Sequence, residues 1–480
     1  MGLTLGIIGA GPGGYVAAIR AAQLGARVVV VEQEAVGGTC LNWGCIPTKT
    51  IKATAEAIEQ LHRAQELGLD LEGGFRPNLE RIMARKNAVI AIQAQGILNI
   101  LKSYQIEYWE GTGRVLDPQK LRVTGSAGES RDLPVDRLII ASGSKPLVFP
   151  AFPFDGQNIL SSNDALVLQE IPESILIIGG GVIGCEFAFI FQALGSRVTV
   201  VEALPRVIGL PSVDEDCSKI LQREMKKKKI ALYLDKTVEK TEVREGLVKV
   251  TIGPSPFLSE VKEKDKKPLE LEVQKVLVSI GRQSNADGLG LKELGLEVDA
   301  RGWIAANDKL ETNIPGIFAI GDALGPAKIM LAHVASTEGI VAAENIMGRE
   351  RRMNYAAVPA GIFTFPEVAT VGLTEPQARE KGLEVQADSF LFRGLGKSQA
   401  MGEIAGQVKI VSDSRNGKVL GVHIIGPHAT DLIAEGTLAV HLGATVQDLA
   451  HTIHAHPTLA EAVMEAAHKA VGAGLHSVKV

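Results

Sequence analysis

Apolar positions in this chain gather into short unbroken runs, and the runs stop at glycine. "LTLGII" at residues 3–8 is the first, closed by Gly9-Ala10-Gly11. A near-continuous apolar run of strand length predicts a parallel strand buried on both faces. "YVAAIRAAQLG" follows with helical periodicity and ends at Gly25; "ARVVVVE" is a second buried strand that ends at Glu32. Strand, helix and strand make one β-α-β unit. The same pattern returns at residues 175–202 as "ILIIGGGVIGCEFAFIFQALGSRVTVVE".

The rest of the chain reads more coarsely. Residues 50–105 look helical throughout. Residues 251–270, "TIGPSPFLSEVKEKDKKPLE", are charged and contain proline, which predicts an exposed hairpin loop. "KKKK" at 226–229 closes a helix-like segment and reads as cations at a helix C-terminus in solvent. From about residue 347 the style changes. "GQVKIVSDSRNGKVLGVHIIG" alternates as antiparallel strands do, around an Asn-Gly turn, and helices follow. The expected fold class is therefore α/β, with two Rossmann-like dinucleotide-binding domains and a C-terminal α+β domain.

Each β-α-β unit carries G-x-G-x-x-G between strand and helix: Gly9, Gly11 and Gly14, then Gly179, Gly181 and Gly184. Glycine lets the backbone approach a pyrophosphate at the helix N-terminus, where free N–H groups and the helix dipole favour anions. Glu32 and Glu202 each sit 18 residues after the third glycine, at a strand tip suited to accept from a ribose 2′-OH. One such motif is weak evidence, but two copies with every part in order imply two dinucleotides. "ALPRV" follows Glu202 with no basic residue before Arg206, so the second site should prefer NAD to NADP, whose 2′-phosphate Glu202 would repel.

Composition adds exclusions. Fifty basic and fifty-five acidic side chains leave a net charge of −5, which offers no polycationic surface to nucleic acid. With 46% apolar residues, the chain still contains no run near the roughly 20 residues of a membrane span. Its start has neither a basic secretory n-region nor an Arg-rich presequence, so a cytoplasmic or already processed chain is expected.

Four cysteines are too few for a secreted disulfide scaffold, and two of them, Cys40 and Cys45, share "GGTCLNWGCIPTKT". Zinc needs four ligands and no second cysteine cluster exists, so no metal site is expected. A staple over so short a loop contributes little in a reducing compartment, which leaves redox chemistry. Five residues of regular helix span roughly 7.5 Å, beyond the approximately 7 Å that a disulfide tolerates. If the pair bonds, the helix must be deformed, and Gly44 and Pro47 provide the means. Cys185 and Cys217 read as buried filler.

These segments resemble the flavoprotein disulfide reductases over nearly the whole chain. "GGTCLNWGCIPTK" is similar to the family's redox segment, "GTGRV" at 111–115 to its flavin-domain turn, and "LIIASGSKP" at 138–146 to its domain crossover. "TNIPGIFAIGD" at 312–322 resembles its second FAD fingerprint, while "FTFPEVATVGLTE" and "HAHPTLAE" resemble its dimerisation domain. The resemblance implies FAD and NAD as cofactors and a homodimer whose sites are each built from two chains. It implies an FAD-binding domain over 1–147 and 276–346, an NAD-binding domain over 148–275 and an interface domain over 347–480. Implied flavin contacts are Gly9, Gly11, Gly14, Glu32, Gly38, Thr39, Lys49, Gly113, Ser142, Gly143 and Asp322, with Gly179, Gly181, Gly184 and Glu202 for NAD and Gly281 as a further cofactor contact. Cys40 and Cys45 would form the redox disulfide, with Cys45 against the flavin and Cys40 exchanging with substrate. The resemblance is closest to members that oxidise protein-bound dihydrolipoamide, implying lipoyl-bearing subunits of 2-oxoacid dehydrogenase complexes or of glycine cleavage as partners. The alternatives are another NAD(P)H-dependent disulfide reductase, glutathione- or mercuric-reductase-like, and a non-catalytic nucleotide-binding scaffold.

Thiol chemistry needs a base. The resemblance selects His456 with Glu461 as its orienting carboxylate, whereas the residues alone leave His454 an equal candidate. Glu461 alone also reads as the end of a Thr458–Glu461 capping box. Lys49 and Glu186 are an implied pair near the flavin, with an ordinary surface lysine and helix glutamate as the equal alternative.

Overall fold

β1 (Thr4–Ile8) pairs in parallel with β2 (Arg27–Glu32) on one side and with the strand Arg137–Ile140 on the other, inside a seven-stranded sheet. In the computed structural model, which describes residues 2–476 except 262 and 264–266, Leu5, Ile7, Val30, Leu138 and Ile139 are fully buried. That burial explains the unbroken apolar runs: covered on both faces, these strands have no side that polar residues could occupy. α1 (Pro12–Gln23) joins β1 to β2. The strand Ile317–Ala319 closes the sheet's far edge, so the chain returns to its first domain after building a second.

The second domain repeats the plan. Strands Ala231–Tyr233, Arg197–Val201, Ser174–Ile178, Lys275–Val278 and Ile159–Leu160 form a parallel sheet in that order. Its fourth strand carries the domain past the expected boundary at 275, because Lys275–Val278 pairs with the central strand Ser174–Ile178. Two short antiparallel strands, Ser144–Pro146 and Arg282–Ser284, tie the outgoing and returning crossovers together. The expected hairpin loop at 251–270 does connect two antiparallel strands, Leu247–Pro254 and Leu269–Val273, which take its first four and last two residues; Leu247–Pro254 also pairs with Lys236–Arg244. Part of the charged connection between them lies outside the described residues.

The helical stretch expected over 50–105 is broken. α2 (Gly38–Asn42), α3 (Cys45–His62) and α4 (Leu79–Ser103) are separate helices. Gly68, Gly73 and Gly74 between the last two adopt positive φ, where helix cannot continue. Asn78 then caps α4, its side chain accepting from the Arg81 N–H at 3.0 Å. The lysine run ends the helix Glu215–Lys227, although Lys228 pairs with Glu59 on α3 instead of standing free.

The third domain is a five-stranded antiparallel sheet covered by helices Ala429–Leu442 and Glu461–Ala470. Gly417 turns at φ +73° between the paired strands Gln407–Asp413 and Val419–Gly426, as the Asn-Gly signal requires.

Candidate active site

The two glycine motifs divide their labour identically. A Cβ on Gly14 would lie 1.9 Å from the Gly9 carbonyl oxygen, and one on Gly184 equally close to that of Gly179. The third glycine of each motif therefore lets helix and strand touch. The middle glycine differs: a Cβ on Gly11 would meet only Gly38 Cα at 3.9 Å, and one on Gly181 would meet nothing within 4 Å. Gly11 and Gly181 are the N-caps of their helices, without side-chain capping bonds or acidic residues in the first turn. Each motif thus presents open backbone N–H groups at a positive dipole end. The acidic tips bind these turns in matching ways. Glu32 accepts from the Ala10 N–H at 2.7 Å and the Glu34 N–H at 2.9 Å; Glu202 accepts from Gly180 at 2.5 Å and Leu204 at 2.7 Å. Arg206, the first basic residue beyond Glu202, is spent on the Ser218 hydroxyl and the Val213 carbonyl.

Around the crossover, Ser142 Oγ is buried and has no hydrogen-bond partner among the described residues. The neighbouring Gly143 turns at φ +69° with open space where a side chain would stand. An orphaned buried hydroxyl beside an open glycine turn fits a group bound there. Asp322 follows Gly321 and accepts from Ser144 Oγ at 2.6 Å. Arg282 completes this cluster, donating to Ser144 Oγ at 2.6 Å and standing 3.6 Å from Asp322. Gly38 backs directly onto Gly11, Thr39 Oγ1 reaches the Ser144 carbonyl at 3.4 Å, and the Gly281 carbonyl accepts from Leu147 at 3.1 Å. Gly113 packs against Ile8 in the sheet.

The cysteine segment is deformed where it has to be. α2 ends at Asn42, Trp43 leaves helical geometry, Gly44 takes φ −148° and ψ −110°, and α3 restarts at Cys45. Pro47 lies in the first turn of α3, where a missing N–H leaves no bond unmade. Both cysteines are free thiols sharing a hydrogen bond. That bond, from Cys40, and the Lys49 ammonium hold the Cys45 thiol down to about 7 against the opposing effect of burial. The Cys40 thiol is pushed up by its hydrogen bond to Cys45 and by burial. Of the two thiols, Cys45 is the one whose charged form is favoured, with the Lys49 ammonium beside it.

Lys49 and Glu186 do meet. The Lys49 ammonium lies 3.0 and 2.8 Å from the two carboxylate oxygens of Glu186, across the boundary between the first two domains. Glu186 is buried in the helix Val182–Leu194 and also accepts the Phe363 N–H at 3.0 Å.

In the third domain, the structure distinguishes the two histidines. Both ring nitrogens of His454 are engaged, Nδ1 with the Thr452 carbonyl and Nε2 with Glu435, each at 2.8 Å. His456 uses only Nδ1, at 2.8 Å from Glu461, and its side chain is 78% exposed. The second oxygen of Glu461 accepts the Thr458 N–H at 2.8 Å, in the loop before the helix that Glu461 itself begins. The full capping box does not form, because the Thr458 hydroxyl turns to the Ala455 carbonyl. Within one chain, nothing links His456 to the cysteine pair among the described hydrogen bonds. Cys185 and Cys217 are buried, and burial pushes both thiols up.

Sequence reasoning missed Ser144, Arg282 and Phe363. Ser144 lies two residues beyond Ser142, and the short strand pairing that brings Arg282 to it leaves no periodic trace.

The family model for pyridine nucleotide-disulphide oxidoreductases matches residues 4–339, and the model for the dimerisation domain of the same proteins matches 358–467. The chain belongs to the pyridine nucleotide-disulphide oxidoreductases. Among curated relatives, a dihydrolipoyl dehydrogenase of Chlamydia muridarum is 41% identical over 98% of this chain and 97% of its own length. One of Bacillus subtilis is also 41% identical, over 98% of each chain. The crystal structure of LpdA from Mycobacterium tuberculosis superposes with a TM-score of 0.89 at 26% identity, covering 98% of this chain and 99% of that one. Like other pyridine nucleotide-disulphide oxidoreductases, the chain is an oxidoreductase of flavoprotein disulfide reductase fold.

Proposed function

We propose that this chain is a dihydrolipoyl dehydrogenase, oxidising protein-bound dihydrolipoamide and reducing NAD⁺. The observation that carries the reading is the geometry of the cysteine segment: Cys40 and Cys45 flank a broken helix, with the Lys49–Glu186 ion pair beside Cys45, whose thiol is held down. It accompanies full-length likeness to relatives of that name. FAD would be held by the Gly11 turn, Glu32, Ser142, Gly143 and Asp322, and NAD by the Gly181 turn and Glu202. FAD bound there would supply the two-electron chemistry that links the dithiol to hydride transfer with NAD⁺.

The protein's own part is thiol–disulfide exchange. With Cys40 and Cys45 oxidised, a substrate thiolate attacks the Cys40 sulfur, the Cys40–Cys45 bond breaks, and Cys45 leaves as the stabilised thiolate. The substrate's second thiol, giving its proton to His456, attacks the substrate sulfur of the mixed disulfide and releases Cys40. The substrate departs as a cyclic disulfide, and two electrons remain in the pair. Glu461 orients the imidazole through Nδ1, leaving Nε2 to take the proton.

His456 is exposed and makes no described hydrogen bond to the cysteines of its own chain, which supports a homodimer in which each histidine serves the partner's site. Leu438 and Leu442, four residues apart on the helix Ala429–Leu442, and Ile453 beside the histidine loop are 57%, 70% and 96% exposed. An apolar stripe this bare is suited to a second subunit. The natural partners are then lipoyl-bearing subunits of 2-oxoacid dehydrogenase complexes or of glycine cleavage.

Steady-state turnover of dihydrolipoamide with NAD⁺ should exceed turnover of glutathione disulfide with NADPH by orders of magnitude. Preference for the second pair would replace this assignment with another disulfide reductase.

A further inference from the structure

α3 carries more charge beside the cysteine pair than the reaction described above employs. Cys45, Lys49, Lys52 and Glu56 follow one another at i, i+4, i+7 and i+11, so one face of the helix bears them all. Lys52 is only 5% exposed. Its ammonium lies 2.8 Å from Glu367 Oε1 and 2.5 Å from Glu56 Oε1. Burial opposes the charge, yet Glu367 and Glu56 hold the ammonium above its ordinary range. Glu367 opens a strand of the third domain, and its other oxygen accepts both the N–H and the hydroxyl of Thr430.

The turn that precedes Glu367 is gripped from two sides. Lys52 stands 5.2 Å from the centre of the Phe365 ring and 5.6 Å from that of Phe363. The Phe363 ring also lies 4.3 Å beneath the Lys49 ammonium, and its N–H is the donor that holds Glu186. Phe363 therefore touches both members of the pair beside Cys45, and Lys52 with Glu367 fixes the turn that carries it.

We propose that Lys52 and Glu367 form a clamp which, through Phe363, positions the Lys49–Glu186 pair against Cys45. Lys52 is then a positioning residue for the dithiol chemistry. An apolar side chain would fill the same space without desolvating a charge, and buried ion pairs are poor contributors to stability alone. What this pair provides in exchange is a single geometry, since the ammonium must meet two carboxylates and two rings together. The proposal rests on Cys45 being the reactive thiolate, and the experiment separates failure of one from failure of the other.

The holoprotein, reduced with a phosphine, is alkylated with iodoacetamide from pH 5 to 9, and modification of Cys45 is followed by peptide mass spectrometry. Charged and titratable groups facing Cys45 are Cys40 from α2, Lys49 from α3, Glu186 from the helix Val182–Leu194 and Arg282 from the returning crossover. None of these is altered. In Lys52→Met the midpoint of the rate profile should rise by roughly 0.5, about threefold less thiolate below it. Lys52→Arg should restore the wild-type profile. Should Lys52→Met fail to fold, Lys52→Met/Glu367→Gln, which leaves no unpaired buried charge between those two positions, should show the same rise. A lower melting temperature with an unchanged midpoint would reduce the clamp to scaffolding and overturn the proposal. A wild-type midpoint in the ordinary thiol range overturns it too, and identifies the reading of Cys45 as the fault.

Discussion

Adding one carbon atom to either of two glycines in the same motif should have opposite consequences. At Gly184, the new Cβ would lie 1.9 Å from the Gly179 carbonyl oxygen and 2.7 Å from Ser279 Oγ. Neither the carbonyl nor the helix can yield alone, because Gly179 itself stands at φ +103°. Overpacking of this kind costs about 1–3 kcal/mol, and a contact so short belongs at the upper end. Alanine's better helix propensity offsets about 1 kcal/mol. The net loss for Gly184→Ala is therefore about 2 kcal/mol, or roughly 5 °C in the melting of a domain this size. At Gly181, φ is −75° and ψ −166°, open to any residue, and no atom lies within 4 Å of the new carbon. Gly181→Ala should change melting by only the few tenths to about 1 kcal/mol of a weakened cap. Its methyl group projects instead into the space offered to a pyrophosphate, so NADH affinity should fall at least about tenfold, equivalent to 1.4 kcal/mol. Scanning calorimetry without nucleotide and NADH fluorescence titration read the two quantities separately. Equal destabilisation by both substitutions, or unchanged NADH binding by Gly181→Ala, would refute this division of labour.

His456→Gln should lower dihydrolipoamide turnover about 10²–10⁴-fold while leaving the NADH-driven reduction of the pair, measured by stopped flow, near wild type; His454→Gln, whose ring is engaged by the Thr452 carbonyl and Glu435, should be milder. Melting of the reduced protein should depend on pH through Cys45, whose folded value lies below its unfolded one. Its contribution is complete above the ordinary thiol range and is lost as pH falls through about 7, and Cys45→Ser should abolish that slope. Cys40 has the opposite sign, adding stability below the ordinary thiol range that fades as pH rises beyond it, so the two together should make reduced-protein melting rise from about 7 and peak near the ordinary thiol value of about 9. Leu438→Glu with Leu442→Glu places charge on the exposed stripe, and sedimentation should then report a monomer with folded-state circular dichroism and no dihydrolipoamide turnover.

Much of this architecture is legible in one dimension because its causes are local or repeated. A strand covered on both faces must be apolar throughout, and a helix that touches its strand must carry glycine there; both requirements recur at 9–14 and 179–184 with the same spacing. The break between Asn42 and Cys45 was also accessible, since it follows from helical rise and the reach of a disulfide. What stayed hidden depends on partners far away in sequence. His454 and His456 are equivalent until Glu435, on another helix, engages the first of them. Glu461 is ambiguous on paper because a carboxylate has two oxygens, and the structure uses one for the imidazole and one for the Thr458 N–H in the loop before the helix. Lys49 and Glu186 are 137 residues apart, and only the packing of two domains makes them a pair. The same distance problem concealed Lys52, whose helical spacing from Cys45 was visible but whose counter-charge lies 315 residues away. Local periodicity thus identifies which side chains can share a face, and the domain interfaces decide which of them acquire the charges that make a thiol reactive.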